Sequence, residues 1–476
     1  MGNNHSHDGT PKGSISRNNS GGDLQDKVPS QLLPIDKLAK LLVQKSLEED
    51  SLQNGISLRI FTLYLFPKYP DMAKNLYQSF LKTSNCCNGV ITQAIFCSQS
   101  EKYLGIMVDE QMILTYVSMF AEGSDSINQN QFRELLMTVF KIAMDHYPEG
   151  PKFCPHINKT LKAVVDSAFH KKEILTTCYL THWIQQHLPK SLILLHRFVA
   201  HILSTAYRSV AEKINEKDQG LELTTPILDK ISPDWEVPDA ILPLSQVWIL
   251  STSLPSLYTK PSQQSPSSST NGFTSKTFIA KLLDFSCPSH WTPLYNSNHH
   301  GIGANRFLHH VLSYRGPTLM FIEGDQGMIF CIGSNQEWKD THQYWGGEES
   351  IIVQMLPLYS VVERGAKLIY LNSSIRGYPK GIRAGLDPRK PKIEINEGFS
   401  EVKFQGVPYN LHSIEVWGCG TPQSREVQLD IKKWQVKQIE KERTVKLSAS
   451  DWVDHPDRYL LELAGRPNYS QSNGNN

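Results

Sequence analysis

The sequence predicts an α+β protein, with a helical N-terminal half, a β-sandwich with flanking helices after it, and a helix near the C-terminus. Between about residues 31 and 258 apolar residues recur with a helical period. A Ser/Pro-rich stretch then gives way to short β-rich runs separated by Gly, Pro and Asn. We expect five segments: a disordered N-terminus at 1–30, a helical domain at 31–258, a linker at 259–276, a β-rich domain at 277–420, and C-terminal helices with a disordered tail at 421–476.

Composition limits the kinds of protein that this chain can be. At 476 residues it is too long for one typical core, so two or three domains are expected. Lys+Arg 48 against Asp+Glu 47 leaves a net charge of +1, which does not favour nucleic acid as a partner. The eight cysteines lack CxxC spacing, which predicts reduced cytosolic thiols and no zinc site. The most apolar run, 192–203, is broken by charged and histidine residues, so no transmembrane span is predicted.

The first six residues, MGNNHS, fit the motif for N-myristoylation, with Gly2 as the acylated residue and Ser6 at the required position. A chance match is the alternative. A single myristoyl chain binds bilayers only reversibly, and residues 1–30 offer no cysteine for a second lipid. Gly2 is therefore the predicted lipidation site of a protein that visits membranes.

Two segments show the helical period most clearly. Apolar residues lie on one face of a helix in 128–144, where Asn128 and Gln131 are a candidate capping pair. A similar stripe runs through 189–210, with Ser191 as the candidate cap. His196 and His201 in that stripe are interpreted as surface or hydrogen-bonded histidines and not as metal ligands.

The stretch FAEGSDSINQNQ at 120–131 resembles the loop of an EF-hand. With Ile127 at the eighth position, Asp125 stands where a glycine is needed and Gln131 stands where calcium needs a bidentate glutamate. The segment is therefore predicted to belong to an EF-hand-like helical domain that does not bind calcium.

Residues 291–307, WTPLYNSNHHGIGANRF, contain a histidine pair and a Gly-x-Gly, which are residue types found in metal sites and phosphate-binding loops of enzymes. The glycines lack the lysine and hydroxyl of a P-loop and the third glycine of a dinucleotide fingerprint, and the chain has neither GxSxG nor HExxH. A metal site of His299, His300, His309 and His310 is conceivable, but adjacent histidines chelate poorly and no carboxylate completes the set. We expect no catalytic residues, no metal and no cofactor.

Several short motifs in residues 284–420 resemble, in the same order along the chain, those of a TLDc domain. They are, in chain order, the 291–307 stretch, RGPTLMFI from Arg315, IFCIG from Ile329, Trp338, YWGGEES at 344–350, Leu356-Pro357 and IEVWG at 414–418. Two departures are Gly303-Ala304, where the family has a serine, and 377–399, where the family has a glycine-rich and aromatic stretch.

The overall plan, from the MGN start to the C-terminal helix, resembles the EAK group of TLDc proteins. This resemblance implies a non-enzymatic regulator in the cytoplasm and at the lysosomal membrane that promotes TOR (mTOR) kinase signalling in response to nutrients. TLDc proteins also bind the vacuolar-type proton ATPase, and several are linked to oxidative-stress resistance. The implied partners are the TOR kinase complex, the proton ATPase and the lysosomal membrane, without nucleic acid. The alternative is an oxidative-stress protein with redox or metal-dependent activity at the histidines or an exposed cysteine.

A basic helix is predicted at 424–446. Val427, Ile431 and Trp434 form a short apolar edge on it. Such a helix can dock into a groove on a partner or lie on an anionic membrane, and an ordinary solvated helix is the third reading. Because the apolar edge lasts only about two turns, partner docking is favoured over lipid. The predicted partner-binding residues are Lys432, Lys433, Trp434, Lys437, Lys441 and Arg443.

Overall fold

A computed structural model gives the fold of the chain. It describes residues 34–50, 54–83, 89–144, 156–211, 241–259 and 291–444, together with Leu460 and Leu463. Helices make up the described N-terminal half, an antiparallel β-sheet domain follows, and a long helix comes after it, so the α+β prediction is confirmed. Gly2, nearly all of the 259–276 segment and nearly all of the predicted C-terminal region after residue 444 lie outside the described residues.

The helical half contains eleven described helices. They are α1 (Pro34–Glu49), α2 (Leu58–Leu65), α3 (Pro70–Thr83), α4 (Gln93–Leu104), α5 (Asp109–Phe120), α6 (Gln129–Met144), α7 (Ile157–Phe169), α8 (Thr177–His187), α9 (Ile193–Ala211), α10 (Leu244–Ser251) and α11 (Ser256–Thr259). Two three-residue strands, β1 (Ser126–Asn128) and β2 (Ile174–Thr176), join the loops before α6 and α8 as an antiparallel pair. This arrangement of two helix–loop–helix units coupled through their loops is that of an EF-hand pair.

A second pair of the same kind precedes it. The loops before α2 and α4 meet at an antiparallel bridge between Ile56 and Ile91. In all four loops the bridging residue is Ile or Leu, and the next residue is polar and directly precedes a helix. The bridging and following residues are Ile56-Ser57, Ile91-Thr92, Ile127-Asn128 and Leu175-Thr176.

The caps explain where these helices begin. The hydroxyls of Ser57, Thr92 and Thr176 each accept a hydrogen bond from a backbone N–H in the first turn of the following helix. Asn128 and Gln131 exchange side chain to backbone hydrogen bonds of 2.9 and 3.0 Å, which confirms the predicted capping pair.

The four loops lack the glutamate that binds calcium in an EF-hand. The position four residues after each bridging residue, where an EF-hand places its bidentate glutamate, holds Ile60, Ile95, Gln131 or Tyr179. None of these side chains carries a carboxylate. The loops therefore keep the pairing of an EF-hand without its donor set.

Helix α9 packs against α1, α2, α4 and α6 and so links the two pairs. His196 in α9 is buried, and its Nδ1 lies 3.1 Å from the Tyr116 hydroxyl, so it is a hydrogen-bonded core histidine as predicted. None of the described helices is long and apolar enough to cross a membrane.

The β-rich domain contains eleven described strands. They are β3 (Thr292–Asn296), β4 (Thr318–Gly324), β5 (Met328–Ser334), β6 (Thr341–Trp345), β7 (Ile351–Leu356), β8 (Ser360–Arg364), β9 (Ile369–Asn372), β10 (Gly381–Ala384), β11 (Ile393–Ile395), β12 (Glu401–Phe404) and β13 (Val407–Gly418). Two short helices, α12 (Ser297–His300) and α13 (Ala304–Val311), lie between β3 and β4.

The long strand β13 joins two layers. Its first residues pair with β12, and after a register irregularity between Leu411 and Ser413 the remainder lies between β3 and β4. One layer is β6-β9-β10-β11-β12, and the other is β4-β5-β7-β8 with β3 beside β13. Large apolar side chains including Phe307, Phe330 and Trp338 fill the space enclosed by the layers and α13.

A second core joins the helical half to the outer face of the β4-β5-β7 layer. Phe321, Cys331 and Val353 belong to the same apolar cluster as Leu180 and Trp248 from the helices. Polar contacts cross the same interface, including a hydrogen bond of 3.1 Å from the Tyr359 N–H to the Ala163 carbonyl. Because one core serves both parts, the helical half and the sheet pack as one body.

The last described element is the 23-residue helix α14 (Pro422–Thr444), which corresponds to the basic helix predicted at 424–446. At 1.5 Å per residue it is roughly 35 Å long.

Candidate functional site: the C-terminal helix and the adjoining cleft

The first part of α14 is attached to the β-rich domain. Gln428 is fully buried, and its side-chain nitrogen donates to the carbonyls of His310 and Leu312, each at 3.0 Å. The Nζ of Lys432 lies 3.5 Å from the same His310 carbonyl. These carbonyls belong to the C-terminal end of α13, where a helix leaves acceptors unpaired, so α14 caps α13.

Beyond Lys432 the helix is exposed. Trp434 is 62% exposed, and Val436 and Ile439 are 52% and 51% exposed. The exposed residues 433–439 are called the free segment below, and they extend roughly 10 Å at 1.5 Å per residue. Several neighbouring large apolar side chains in water are unusual on a monomer surface and point to an interaction site.

The exposed apolar residues lie on two opposite sides of α14. At about 100° per residue, Val427, Ile431 and Trp434 fall within about 60° of one another. Val436 and Ile439 fall on the other side, which is the side that carries Gln428 and Lys432 earlier in the helix. The apolar edge predicted from Val427, Ile431 and Trp434 is therefore only one of two.

The basic residues predicted to bind a partner do not form one group. Lys433, Lys437 and Lys441 are exposed and follow an i, i+4, i+8 row between the two apolar sides. Lys432 is half-buried against α13, and burial together with Arg425 lowers its pKa to about 8. The side chain of Arg443 lies outside those that the structure describes.

The histidines of the HHGIGANRF stretch form a stacked pair. The rings of His300 and His310 lie 3.9 Å apart between centroids, and His309 lies against His310. The Asn296 N–H donates to Nδ1 of His300 at 3.1 Å, which requires that nitrogen to be unprotonated. Burial, with His300 and Lys432 nearby, lowers the pKa of His310 to about 4. Both imidazoles are therefore neutral at pH 7.

The glycines of the same stretch make sharp turns. Gly301, with φ of 78°, ends α12, and Gly303, with φ of 148°, precedes α13. A side chain at Gly301 would overlap Arg306, whose guanidinium donates to the His300 carbonyl. These glycines shape the backbone, as a turn requires. In the described part of the chain, no group of three His, Cys, Asp or Glu side chains is placed to hold a metal ion.

A cleft of about 350 Å³ opens between these histidines and the first turns of α14. Leu294, Tyr295 and Trp417 line its apolar side, and His300, His310 and Arg425 line its polar side. Glu415 also reaches the cleft although it is almost fully buried. The Glu415 carboxylate accepts hydrogen bonds from the Asn296 side chain at 3.0 Å and from the Trp417 indole at 3.2 Å. Sequence reasoning missed Glu415, although a lone acid inside the apolar run HSIEVWG was a usable signal.

Most of the described cysteines have thiols that are poor nucleophiles at neutral pH. Burial raises the pKa of the Cys331 and Cys419 thiols, and burial with a hydrogen bond to Asp36 raises the pKa of Cys97 to about 12. A thiol with a raised pKa is a poor nucleophile at neutral pH. Cys178 in α8 is exposed.

The fold and this arrangement define a class: an EF-hand-like helical unit packed on a β-sandwich that carries a projecting C-terminal helix. Residues 269–420 match the family model of the TLDc domain, so the chain contains a TLDc domain, as its sequence predicts.

The similar proteins include members of two groups. The chain is 23% identical to restriction of telomere capping protein 5 of Leptosphaeria maculans, with 38% of this chain and 41% of that protein covered. It is 24% identical to the MTOR-associated protein MEAK7 of Xenopus laevis, with 29% and 34% covered, and 23% identical to MEAK7 of Danio rerio, with 31% and 37% covered. The chain thus matches less than half the length of these relatives. The predicted likeness to EAK-type proteins is confirmed.

Proposed function

We propose that this protein is a non-enzymatic adaptor that promotes TOR (mTOR) signalling in response to nutrients at the lysosomal membrane. Its proposed partners are the TOR kinase complex and the vacuolar-type proton ATPase, which it binds through the TLDc domain and the free segment of α14. The observation that carries the proposal is this free segment, with large apolar side chains on two sides and a row of lysines between them. The MTOR-associated names of two relatives support the choice of pathway.

The distribution of apolar residues favours a protein partner over a lipid surface. A helix that lies on a membrane places its apolar residues on one side and its charges on the other. Here Trp434 and Val436 point in nearly opposite directions, so a flat surface could cover only one of them. A groove or a gap between two partner surfaces could cover both.

The anchoring of α14 is suited to this role. Gln428 fixes the start of the helix to α13, so the direction of the free segment is set before a partner binds. A preformed helix loses less conformational entropy on binding than a segment that folds at the partner. Trp434 has the residue type that most often dominates binding energy at interfaces.

Membrane attachment is assigned to Gly2, through the MGNNHS motif. One myristoyl chain gives reversible binding, so stable residence at the lysosome needs the protein partner as a second attachment.

The test is mass spectrometry of what co-purifies with the tagged full chain from gently solubilised cells. The wild-type protein, Trp434→Ala, Ile439→Ala and Gly2→Ala are compared. Subunits of the proton ATPase or of the TOR complex should co-purify with the wild type and be reduced at least tenfold with Trp434→Ala or Ile439→Ala. Gly2→Ala should lower recovery from the membrane fraction.

Gln435→Ala is the matched control, because Gln435 is exposed on the same segment and its polar side chain belongs to neither apolar side. It should recover the partners as the wild type does. The absence of both assemblies from the wild-type sample would contradict the proposed partners. Equal recovery with Trp434→Ala would contradict the role of the free segment.

A further inference from the structure

The cleft beside the stacked histidines has an unusual charge environment. Arg425 and Lys432 are both half-buried, and burial lowers the pKa of each. The hydrogen-bond partners that they have among the described residues are neutral: the Gln428 side-chain oxygen for Arg425 and the His310 carbonyl for Lys432. No ion pair joins either cation to a carboxylate within the described ranges.

Burying two cations side by side without a counter-charge costs free energy, because each loses water and repels the other. The one buried carboxylate at the cleft, Glu415, is directed at other donors, namely the Ile241 N–H, the Asn296 side chain and the Trp417 indole. Neither Arg425, which lines the cleft, nor Lys432, which lies beside the lining residue His310, is therefore paired with this carboxylate. The neighbouring imidazoles are neutral, so they do not change the charge around the two cations.

Apart from Arg425, Glu415, Asn296 and His299, the surface of the cleft is apolar or aromatic. Leu294, Tyr295 and Trp417 are buried and line one side, and the stacked rings of His300 and His310 line the other. A volume of about 350 Å³ lies at the lower end of the range for small-molecule sites. A positive end and aromatic walls together suit a compact ligand with an anionic group and a flat apolar body.

We propose that the cleft between β3, α13 and the start of α14 binds a small soluble organic anion, with Arg425 holding its phosphate or carboxylate group. The aromatic walls hold the apolar body of this ligand. The site is distinct from the free segment, and the proposal does not depend on the adaptor role.

Phenyl phosphate is a suitable probe, with benzyl alcohol as its neutral counterpart. Binding is followed on the full-length protein by NMR, through the ring signals of ¹³C-labelled histidine, with His300→Gln and His310→Gln used for assignment. Phenyl phosphate should shift the His300 and His310 signals saturably, and benzyl alcohol should bind at least tenfold more weakly. Arg425→Gln should weaken phenyl phosphate binding at least tenfold.

Because Arg425 also contacts Gln428, Lys432→Gln is a second variant. Lys432 lies beside the lining residue His310, so the loss of its charge should weaken binding severalfold. Lys433→Gln is its matched control, since Lys433 is the next residue but is exposed and lies near Asp430. It should bind phenyl phosphate as the wild type does.

Three results would overturn the proposal. One is the absence of a saturable shift with phenyl phosphate, and another is equal affinity for phenyl phosphate and benzyl alcohol. The third is displacement of phenyl phosphate by phosphatidylserine vesicles but not by benzoate, which would assign the site to a lipid headgroup.

Discussion

The side-chain nitrogen of Gln428 lies 3.0 Å from the carbonyl oxygens of both His310 and Leu312. One amide group thus satisfies two acceptors at the end of α13 and fixes the start of α14. The contact joins residues 118 and 116 positions apart in the chain, so it ties the C-terminal helix to the β-rich domain. The free segment depends on it for its direction.

Replacing Gln428 by leucine should release α14. The change removes both hydrogen bonds at a fully buried position, and unsatisfied buried acceptors cost about 1–3 kcal/mol. We expect faster cleavage by trypsin at Arg425 and Lys432, measured by mass spectrometry of the fragments. Gln438→Leu, on the exposed part of the same helix, should leave the cleavage rate unchanged. Unchanged cleavage of Gln428→Leu would show that other contacts anchor the helix.

The interface between the helical half and the sheet should respond to pH through His187. Its Nδ1 accepts a hydrogen bond from the Val361 N–H at 3.1 Å. Burial, with Arg364 and His170 nearby, lowers its pKa from 6.5 to about 4. The folded protein therefore binds fewer protons than the unfolded chain between these values. Its stability is complete above pH 6.5 and falls as the pH drops towards 4.

Glutamine at position 187 can accept the same N–H bond without titrating. His187→Gln should reduce the dependence of unfolding free energy on pH by up to about 1.4 kcal/mol per pH unit between pH 6 and 4.5. Urea unfolding across that range measures it. His182→Gln, on the exposed side of the same helix, is the control. An unchanged slope for His187→Gln would show that His187 does not carry the effect.

The shared core should make the two halves unfold together. The Tyr359 hydroxyl, buried at this interface, hydrogen-bonds with Ser253 and with the Ile249 carbonyl at 3.3 Å. Tyr359→Phe should lower the unfolding free energy by about 0.5–1.5 kcal/mol, because it removes buried hydrogen bonds while Ser253 keeps its bond to the His187 carbonyl and the Ile249 carbonyl keeps its bonds from Thr252. Helical circular dichroism and tryptophan fluorescence should keep one common midpoint in urea. Tyr378→Phe, at an exposed tyrosine, should have little effect. Two separate transitions in the wild type would contradict the single core.

Calcium should not stabilise the protein. The twelfth loop positions, Ile60, Ile95, Gln131 and Tyr179, provide no carboxylate for the ion. Differential scanning calorimetry should give the same midpoint in 1 mM calcium as in EDTA, within the ~1 °C or less expected when no site binds. A rise of several degrees would mean that ligands from elsewhere in the chain complete a site.

The sequence predicts features that depend on residues close together in the chain better than features that depend on residues far apart. Asn128 and Gln131 cap their helix within four residues, so the pattern alone located this start correctly. The pair of loops at Ile56 and Ile91 was missed, because neither loop has the glutamate at the twelfth position by which EF-hands are recognised, and Ile60 and Ile95 stand there instead. Their usable signal was the repeated Ile or Leu followed by a capping residue.

The cleft could not have been predicted. It unites Tyr295, His310, Glu415 and Arg425, which are brought together by the pairing of β13 with β3 and by the docking of α14. Likewise, the periodicity of 424–446 revealed the helix but not which turns are covered. Lys432 and Lys433 are adjacent in sequence, yet one is held against α13 and the other is exposed.

The central claim is that the free segment of α14 is in contact with the partner. The most direct test is photo-crosslinking in cells with a photoreactive phenylalanine analogue in place of Trp434, compared with the same analogue at Tyr179 on the helical half. If the free segment contacts the partner, position 434 should crosslink to a subunit of the proton ATPase or of the TOR complex, and position 179 should not crosslink to those subunits. Crosslinks to those subunits from position 179 alone would contradict this claim.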